Sequence, residues 1–547
     1  MMRAPTLAGG LVVLAAVGAY AATIDNYFAQ DDFGVVWLLS QKSIGNVPEW
    51  FVSTWMDDIW GYTPDEIRPF PAMTYVVASW FGPGSPVANH VMNIAMHGGT
   101  AVLLLALARV AGIGLIGATA GALVFVLLPN QVESVAWVTG RVDSMPAFIY
   151  IASLLAYARW RAGASTVALS PARTYVLSVA LCFIGLFSKQ NVITLGPAIV
   201  LYDLLVAGRP LPLSRGRRSI GTVWAWMRPY LPFALLTAGY LALRYVLFNQ
   251  VVREQMLTPQ GLEFSRWAIG QHVLRIVLGD VSLARHLVPW MAGALALLAL
   301  ASIAVALLRR LATHPARGLV YFGIVWTAIN LAPSLVAGYI SPRHAYLASA
   351  GWAMTVALLA DLLWRANLRA ARVAGGLAVT VLLGVYIVEL RGVLTLWEEQ
   401  SAVSARAVAD VEREAMAAPP GSLIVAGVPA LSWAWALPFA TRPPFTRTDL
   451  FDRVSVIGTA PLHCCGTEQW EPYTRSIVSA WLARPDRAPV IAMHWDRHTG
   501  TLARVSEADD PSLRTLMRQV LDTKDGAALD ATLTRVLSEY VALRQGS

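Results

Sequence analysis

The chain has 547 residues, 56% of them hydrophobic and only 14% charged, with a mean hydropathy of +0.53. That excess of apolar side chains excludes a soluble globular protein and identifies a polytopic membrane protein. The formal charge of +8 follows from where arginine falls in the loops and gives no ground for nucleic-acid binding, so none is expected.

A helix needs about 20 mostly apolar residues to cross a bilayer. Stretches of that kind occur at 6–24, 87–108, 113–128, 144–158, 174–188, 191–207, 229–247, 287–308, 318–338, 345–363 and 373–391, so about eleven transmembrane helices are expected. Ala19-Tyr20-Ala21 imitates a signal-peptide cleavage site. With so many spans following, the first segment reads as a retained anchor.

Arg3, Arg109, Arg159, Arg161, Arg209, Arg215, Arg217, Arg218, Arg228, Arg309, Arg310, Arg317, Arg365, Arg369 and Arg372 then share one side. By the positive-inside rule that side is cytoplasmic. The loops carrying Asp31-Asp32, Asp57-Asp58, Glu133 with Asp143, and Arg343 fall on the outer face, as does everything after residue 391. Only three of the 42 basic residues are lysine, a composition that suggests a high-GC bacterial genome and hence a bacterial inner membrane.

Two soluble parts flank this body, which runs over residues 1–391. The first outer loop, 25–86, is rich in aromatic residues that favour a membrane interface, and short in-plane helices are expected at Phe33–Leu39 and Pro48–Trp60. An amphipathic helix is expected around Ser265–Leu278. Beyond 391, apolar runs at Ser422–Val428, Val454–Ile457 and Ala488–Met493 predict strands. Helical patterns surround them at Ala402–Met416, Glu471–Leu482 and Ser512–Leu543, so residues 392–547 read as a small extracytoplasmic α/β domain. Cys182 reads as packing, Cys464-Cys465 are adjacent, and no His/Cys spacing makes a zinc site.

Several outer-side groups carry chemistry. Asp31-Asp32 follow the first span, and Arg68-Pro69-Phe70 closes the same loop; the acids are either solvated or held in a cavity as a general base. In PNQVESVAWVTGRVDSM a folded-back loop brings Glu133, Arg141 and Asp143 together, as a structural pin or as a site. Lys189 stands at a helix junction, where it snorkels or meets a lipid phosphate. Arg343-His344 begin a helical segment, where a guanidinium and helix N-terminus favour an anion.

Four blocks occur in order: IRPFPAMTYVVASWFGPGSPVANHVMNIAMHGGTAVLLL (67–105), LLPNQVESVAWVTGRVDSM (127–145), FSKQNVITLGPAIVLYDLL (187–205) and SPRHAYLASAGWAM (341–354). Together they resemble the multispan O-mannosyltransferases with lumenal tetratricopeptide repeats, members of the GT-C class of lipid-phosphate-sugar-dependent glycosyltransferases. The resemblance covers roughly residues 25–365. It implies a GT-C-like helical fold and an inverting transfer of a sugar, mannose-like in that family, from a polyprenyl-phosphate donor at the outer face to a protein, glycan or lipid acceptor. It further implies Asp31, with Asp32 as alternative, as the catalytic base. Arg343, Lys189 and Arg141 would hold the phosphate, with Arg68, Glu133, Asp143 and His344 also in the substrate site. No cofactor and no metal is expected.

The chain departs from that pattern. Pro129-Asn130-Gln131-Val132-Glu133 keeps the acid but lacks the two histidines, Gln190 replaces a glutamate, and no C-terminal repeats occur. A transporter or flippase of lipid-linked sugar is the alternative; transporters place their charged sites near mid-membrane, whereas these acids lie in loops. A receptor that senses an outer ligand through residues 392–547 is a third reading, for which eleven spans are excessive.

Overall fold

The computed structural model describes residues 3–56, 65–163, 170–212, 220–251, 259–279, 288–307, 310–314, 316–333, 341–366, 368–427, 437–458, 476–477, 479–481, 483, 490–496 and 498–504. Asp57-Asp58, Cys464-Cys465 and the expected helix at Ser512–Leu543 lie outside the described residues, as does most of Glu471–Leu482.

The helices, in chain order, are α1 (Arg3–Tyr20), α2 (Asp32–Ser40), α3 (Pro69–Ser79), α4 (Val87–Val110), α5 (Leu115–Leu127), α6 (Val132–Ala136), α7 (Arg141–Arg161), α8 (Pro171–Leu186), α9 (Leu195–Leu205), α10 (Ile220–Met227), α11 (Leu231–Phe248), α12 (Pro259–Leu278), α13 (Val288–Leu307), α14 (Arg310–Thr313), α15 (Gly318–Leu331), α16 (Ser349–Trp364) and α17 (Arg369–Ala417). A helix occupies each of the eleven expected spans. Among the described residues, four helical stretches are long and apolar enough to cross a membrane, at Ala4–Asp25, Val87–Val110, Ile220–Phe248 and Arg369–Ala417, or five if the bent pair at 115–136 counts as one span. Six further apolar helices are shorter, and α7 carries Arg141 and Asp143 at one end and Arg159 and Arg161 at the other. The protein is a multi-pass membrane protein; the count of eleven remains a sequence reading.

Tertiary contacts divide the chain into two units. One comprises Met1–Thr23 with His90–Thr395, the other Ile24–Asn89 with Leu396–Ser547. The first loop thus groups with the C-terminal segment, and the boundary expected at 391 falls inside the unbroken 49-residue helix α17. No glycine or proline interrupts Val393–Ala417, so nothing in the backbone stops the helix there.

In the first unit, small residues set the packing. α5 lies on α16, and a Cβ at Gly117 or Gly121 would collide with the carbonyl oxygen of Ala357 or Ala353. α15 meets α16 the same way, a Cβ at Gly323 falling 2.8 Å from the Gly351 carbonyl oxygen. Such glycines let backbones approach where lipid offers no hydrophobic drive. At the end of α5 the chain bends by 54° into Pro129–Ala136. Pro129 supplies no N–H, and Leu128 before it is extended.

Two buried acids tie helix ends on the arginine-rich side. Asp203 accepts from the hydroxyls of Tyr157 (2.7 Å) and Tyr230 (2.8 Å) and from Nε of Arg161 (2.9 Å), with Arg209 at 3.6 Å. Asp361 pairs with Arg365 at 2.9 Å and meets His314 at 3.2 Å.

In the second unit, β1 (Ser422–Gly427), β2 (Val454–Gly458), β3 (Val490–Asp496) and β4 (Thr501–Arg504) form a sheet in the order β2-β1-β3-β4. β1 runs parallel to both β2 and β3, and β4 is antiparallel to β3. Leu423–Ala426 are all buried, as the continuous apolar run of a covered parallel strand requires. The expected strands are present within a few residues; β4 was not anticipated. The expected helix at 402–416 is the end of α17.

The expected helix at Phe33–Leu39 is α2. That at Pro48–Trp60 reduces, among its described residues, to the single turn Glu49–Phe51. Ser53 Oγ donates to the Glu49 carbonyl at 3.0 Å and Trp55 N to that of Glu66 at 3.2 Å, bonds that compete with a helical ladder. α12 starts six residues before the amphipathic stretch read from the sequence.

Replacing Gly121 with leucine should force α5 from α16 and destabilise the protein by about 1–3 kcal/mol, the usual cost of overpacking. Thermal denaturation in detergent checks this, and an unchanged melt would remove the close approach as a determinant of the fold.

Candidate functional site

In the first unit the folded-back loop between α5 and α7 is built around glycine and asparagine. A Cβ at Gly140 would overlap the Glu133 carbonyl oxygen and come within 2.9 Å of Ser134, so only glycine closes this hairpin. Asn93 of α4 fixes it from beneath. Its Nδ2 donates to the carbonyls of Trp137 (2.8 Å), Val135 and Val138 (both 3.3 Å), and its Oδ1 accepts from Arg141 Nε at 2.9 Å. Buried non-helical backbone needs such internal partners. Arg141 is fully buried and acts in that clamp.

Above the clamp four charges converge. Arg343 Nη1 donates to Glu133 Oε1 at 2.9 Å, and Arg343 Nε lies 3.6 Å from Asp143 Oδ2. Lys189, at the turn between α8 and α9, binds Asp143 Oδ1. The guanidinium also stacks 4.7 Å from the Trp137 ring centre. The expected anion at the Pro342–Ala345 turn is present, but it is the protein's own. Glu133 takes Ser341 Oγ on both oxygens at 2.6 Å and Arg343 N at 3.3 Å, occupying the orphan amide and the hydroxyl.

His344 packs edge-on against His272, ring centres 5.9 Å apart. Burial, reinforced by the nearby charges of Arg343 and Lys189, holds its pKa well below the ordinary histidine range, so the imidazole is neutral near pH 7. Two cations and two carboxylates make the cluster formally neutral. Arg343 and Lys189 keep about 14% of their side chains open.

The other predicted residues lie in the second unit. Asp31 occupies the N-cap position of α2, and its backbone, not its side chain, caps the helix. Asp32 begins the helix, is 1% exposed, and accepts from Ala29 N at 3.0 Å. The two acids, Asp31 expected as the base and Asp32 as its alternative, differ in setting: Asp32 is buried and bonded, Asp31 more open. Arg68 is buried against Glu66 (2.8 Å) and lies 5.5 Å from the Trp55 ring centre. α2 is held by Phe33 on Phe445 (4.6 Å), Trp37 on Phe439 (5.2 Å), and Tyr27 N donating to Ser401 Oγ at 2.6 Å. No group of three or more His, Cys, Asp or Glu with metal-binding geometry occurs among the described residues.

Sequence reasoning missed Asn93, Trp137 and Ser341. A signal for the first existed: His90, Asn93, His97 and Thr100 are all buried and recur at helical spacing along one face of an apolar span, a pattern that marks a polar interior. Replacing Asn93 with leucine removes the partner of three carbonyls and of Arg141, at about 1–3 kcal/mol for each buried group left unmet. The variant should lose its monodisperse peak on size exclusion, and wild-type behaviour would show that the clamp is dispensable.

No known family profile matches the chain. Human protein O-mannosyl-transferase TMTC4 is 26% identical over 219 residues, covering 36% of this chain and 29% of that protein. Mouse protein O-mannosyl-transferase TMTC3 is 24% identical over 226 residues, covering 39% and 23%. The match thus spans less than a third of either relative. The crystal structure of ArnT from Cupriavidus metallidurans bound to undecaprenyl phosphate aligns with a TM-score of 0.51 over 89% of this chain and 93% of that one, at 13% identity. Its apo form aligns at 0.50. The chain has the fold of the GT-C class of membrane glycosyltransferases and is similar in sequence to the protein O-mannosyl-transferases.

Proposed function

We propose that the protein is an integral-membrane glycosyltransferase that moves a sugar from a polyprenyl-phosphate donor to a protein, glycan or lipid acceptor on the outer face of a bacterial inner membrane. The observation that carries this reading is the pairing of Lys189 and Arg343 on Asp143, with both cations still partly open. The protein of similar fold that was crystallised with undecaprenyl phosphate supports a polyprenyl-phosphate donor, and the mannosyl transfer in the names of the sequence relatives supports transfer of a sugar.

The chemistry is a displacement at the anomeric carbon. The acceptor oxygen forms the new bond to that carbon as the bond to the phosphate oxygen breaks, and configuration inverts. The acceptor's proton passes to a carboxylate, a role proposed for Asp31, which is the more open of the acidic pair. The electron pair of the broken bond leaves on the polyprenyl phosphate. Lys189 and Arg343 offset that charge, so the leaving group needs no proton. Glu133 and Asp143 keep the cations in place before the donor arrives, which avoids reorganisation during the reaction.

Asp31→Asn should abolish sugar transfer in membranes supplied with polyprenyl-phosphate sugars while leaving expression intact; near-normal turnover removes Asp31 as the base. Lys189→Met should lower kcat by about 10²–10³, the range found when one charge-stabilising donor is lost. Arg343→Ala should weaken use of the donor more than use of the acceptor. If both cation variants turned over normally, the phosphate role would be wrong.

A further inference from the structure

Three buried polar side chains beside the Arg343 turn carry atoms with no hydrogen-bond partner. Among the described residues, neither side-chain atom of Asn130, nor Oε1 of Gln131, nor either ring nitrogen of His272 makes a hydrogen bond. Asn130 is 4% exposed, and Gln131 and His272 are fully buried. The Pro129–Gln131 turn and α12, which carries His272, both pack on the Pro342–Ala345 turn that holds Arg343. Native proteins rarely leave buried polar atoms unmet, and each exception calls for an explanation.

These groups share a chemical character. The Asn130 amide donates through Nδ2 and accepts through Oδ1, Gln131 Oε1 only accepts, and an imidazole does both. Gln131 Nε2 is already committed to Ser349 Oγ at 2.6 Å, which fixes the amide and leaves its oxygen as the open position. A phosphate or carboxylate satisfies donors alone and would leave Oδ1 and Oε1 facing negative charge. Neighbouring hydroxyls, each both donor and acceptor, satisfy the whole set.

We propose that Asn130, Gln131 and His272 form a sugar-recognition subsite that reads the hydroxyl groups of the donor's sugar, beside the cations that hold its phosphate. The proposal rests on the glycosyltransferase reading and deepens it. In the family this chain resembles, histidines stand in the Pro129–Glu133 block. Here amides stand there instead and His272 of α12 supplies an imidazole, so the pattern of hydroxyls accepted is set by this chain's own residues. A site built to bond a hydroxyl discriminates strongly against a ligand that lacks it, because its buried groups are then left unmet.

The test uses the full chain in detergent and four probes: undecaprenyl phosphate alone and undecaprenyl phosphate carrying mannose, glucose or arabinose. The wild type should bind at least one glycosylated probe about tenfold more tightly than the bare lipid phosphate. Asn130→Leu and His272→Phe should bring that ratio close to one and leave affinity for the bare lipid unchanged; His272→Gln, which restores a donor and an acceptor, should keep part of it. Without ligand, Asn130→Leu should melt no lower than the wild type, since an unmet polar group has been removed. A ratio unaffected by the variants, or no preference for any sugar in the wild type, overturns the proposal. So does a lowered ligand-free melting temperature, which would mean that protein or water already satisfies these atoms. Failure of the bare lipid phosphate to bind would instead sink the glycosyltransferase reading on which the subsite rests.

Discussion

Arg343 shares a proton-rich planar fork between Glu133 and Asp143, and Asp143 passes the connection on to Lys189. Glu133, Lys189 and Arg343 come from three separate connections, α5 to α7, α8 to α9, and α15 to α16, and Asp143 from the first turn of α7. Each connection leaves its helices with irregular backbone, and irregular backbone near a bilayer needs internal partners. The network therefore serves loop structure before any ligand arrives. Desolvating four charges is tolerable because each carboxylate meets a cation within 4 Å and Glu133 takes further bonds from Ser341 and the Arg343 backbone.

Beneath the network, Asn93 and Gly140 decide whether it can form. Gly140 lets the start of α7 approach Glu133 and Ser134 of α6, and Asn93 holds three carbonyls of the loop between them. Arg141 looked like a member of the charged site because it lies two residues before Asp143. Its geometry assigns it to the clamp through Asn93. Sequence neighbours at the start of a helix project in different directions, so Asp143 faces the cations while Arg141 turns to α4.

Much of this was legible in the sequence, and what was not has physical causes. Long apolar stretches mark spans because each must satisfy its own backbone, and every expected stretch carries a helix. The strands at Ser422 and Val454 were readable as short apolar runs bounded by turns. The pairing of Glu133 with Arg343 spans 210 residues, and no local pattern encodes such a partner; only the resemblance suggested that both mattered. The difference between Asp31 and Asp32 was equally hidden, since burial follows from tertiary packing, and the next residue, Phe33, packs on Phe445, more than 400 residues away. Of the helix expected at Pro48–Trp60, the described residues form only the turn Glu49–Phe51, after which Ser53 Oγ bonds the Glu49 carbonyl.

The arginines that suggested an orientation lead a second life once the chain is folded. On the positive-inside reading, Arg161, Arg209 and Arg365 are charges that resist translocation during insertion. In the finished protein, Asp203 binds the first two and Asp361 the third. The electric signature read by the insertion machinery is therefore partly erased by folding. The acids that erase it sit at the ends of α9 and α16; Asp361 meets Arg365 one turn along its own helix, whereas Asp203 meets Arg161 only once α7 and α9 have packed. Biogenesis and stability thus draw on the same side chains in succession, and the arginine-rich face of the mature protein is less positive than its sequence suggests.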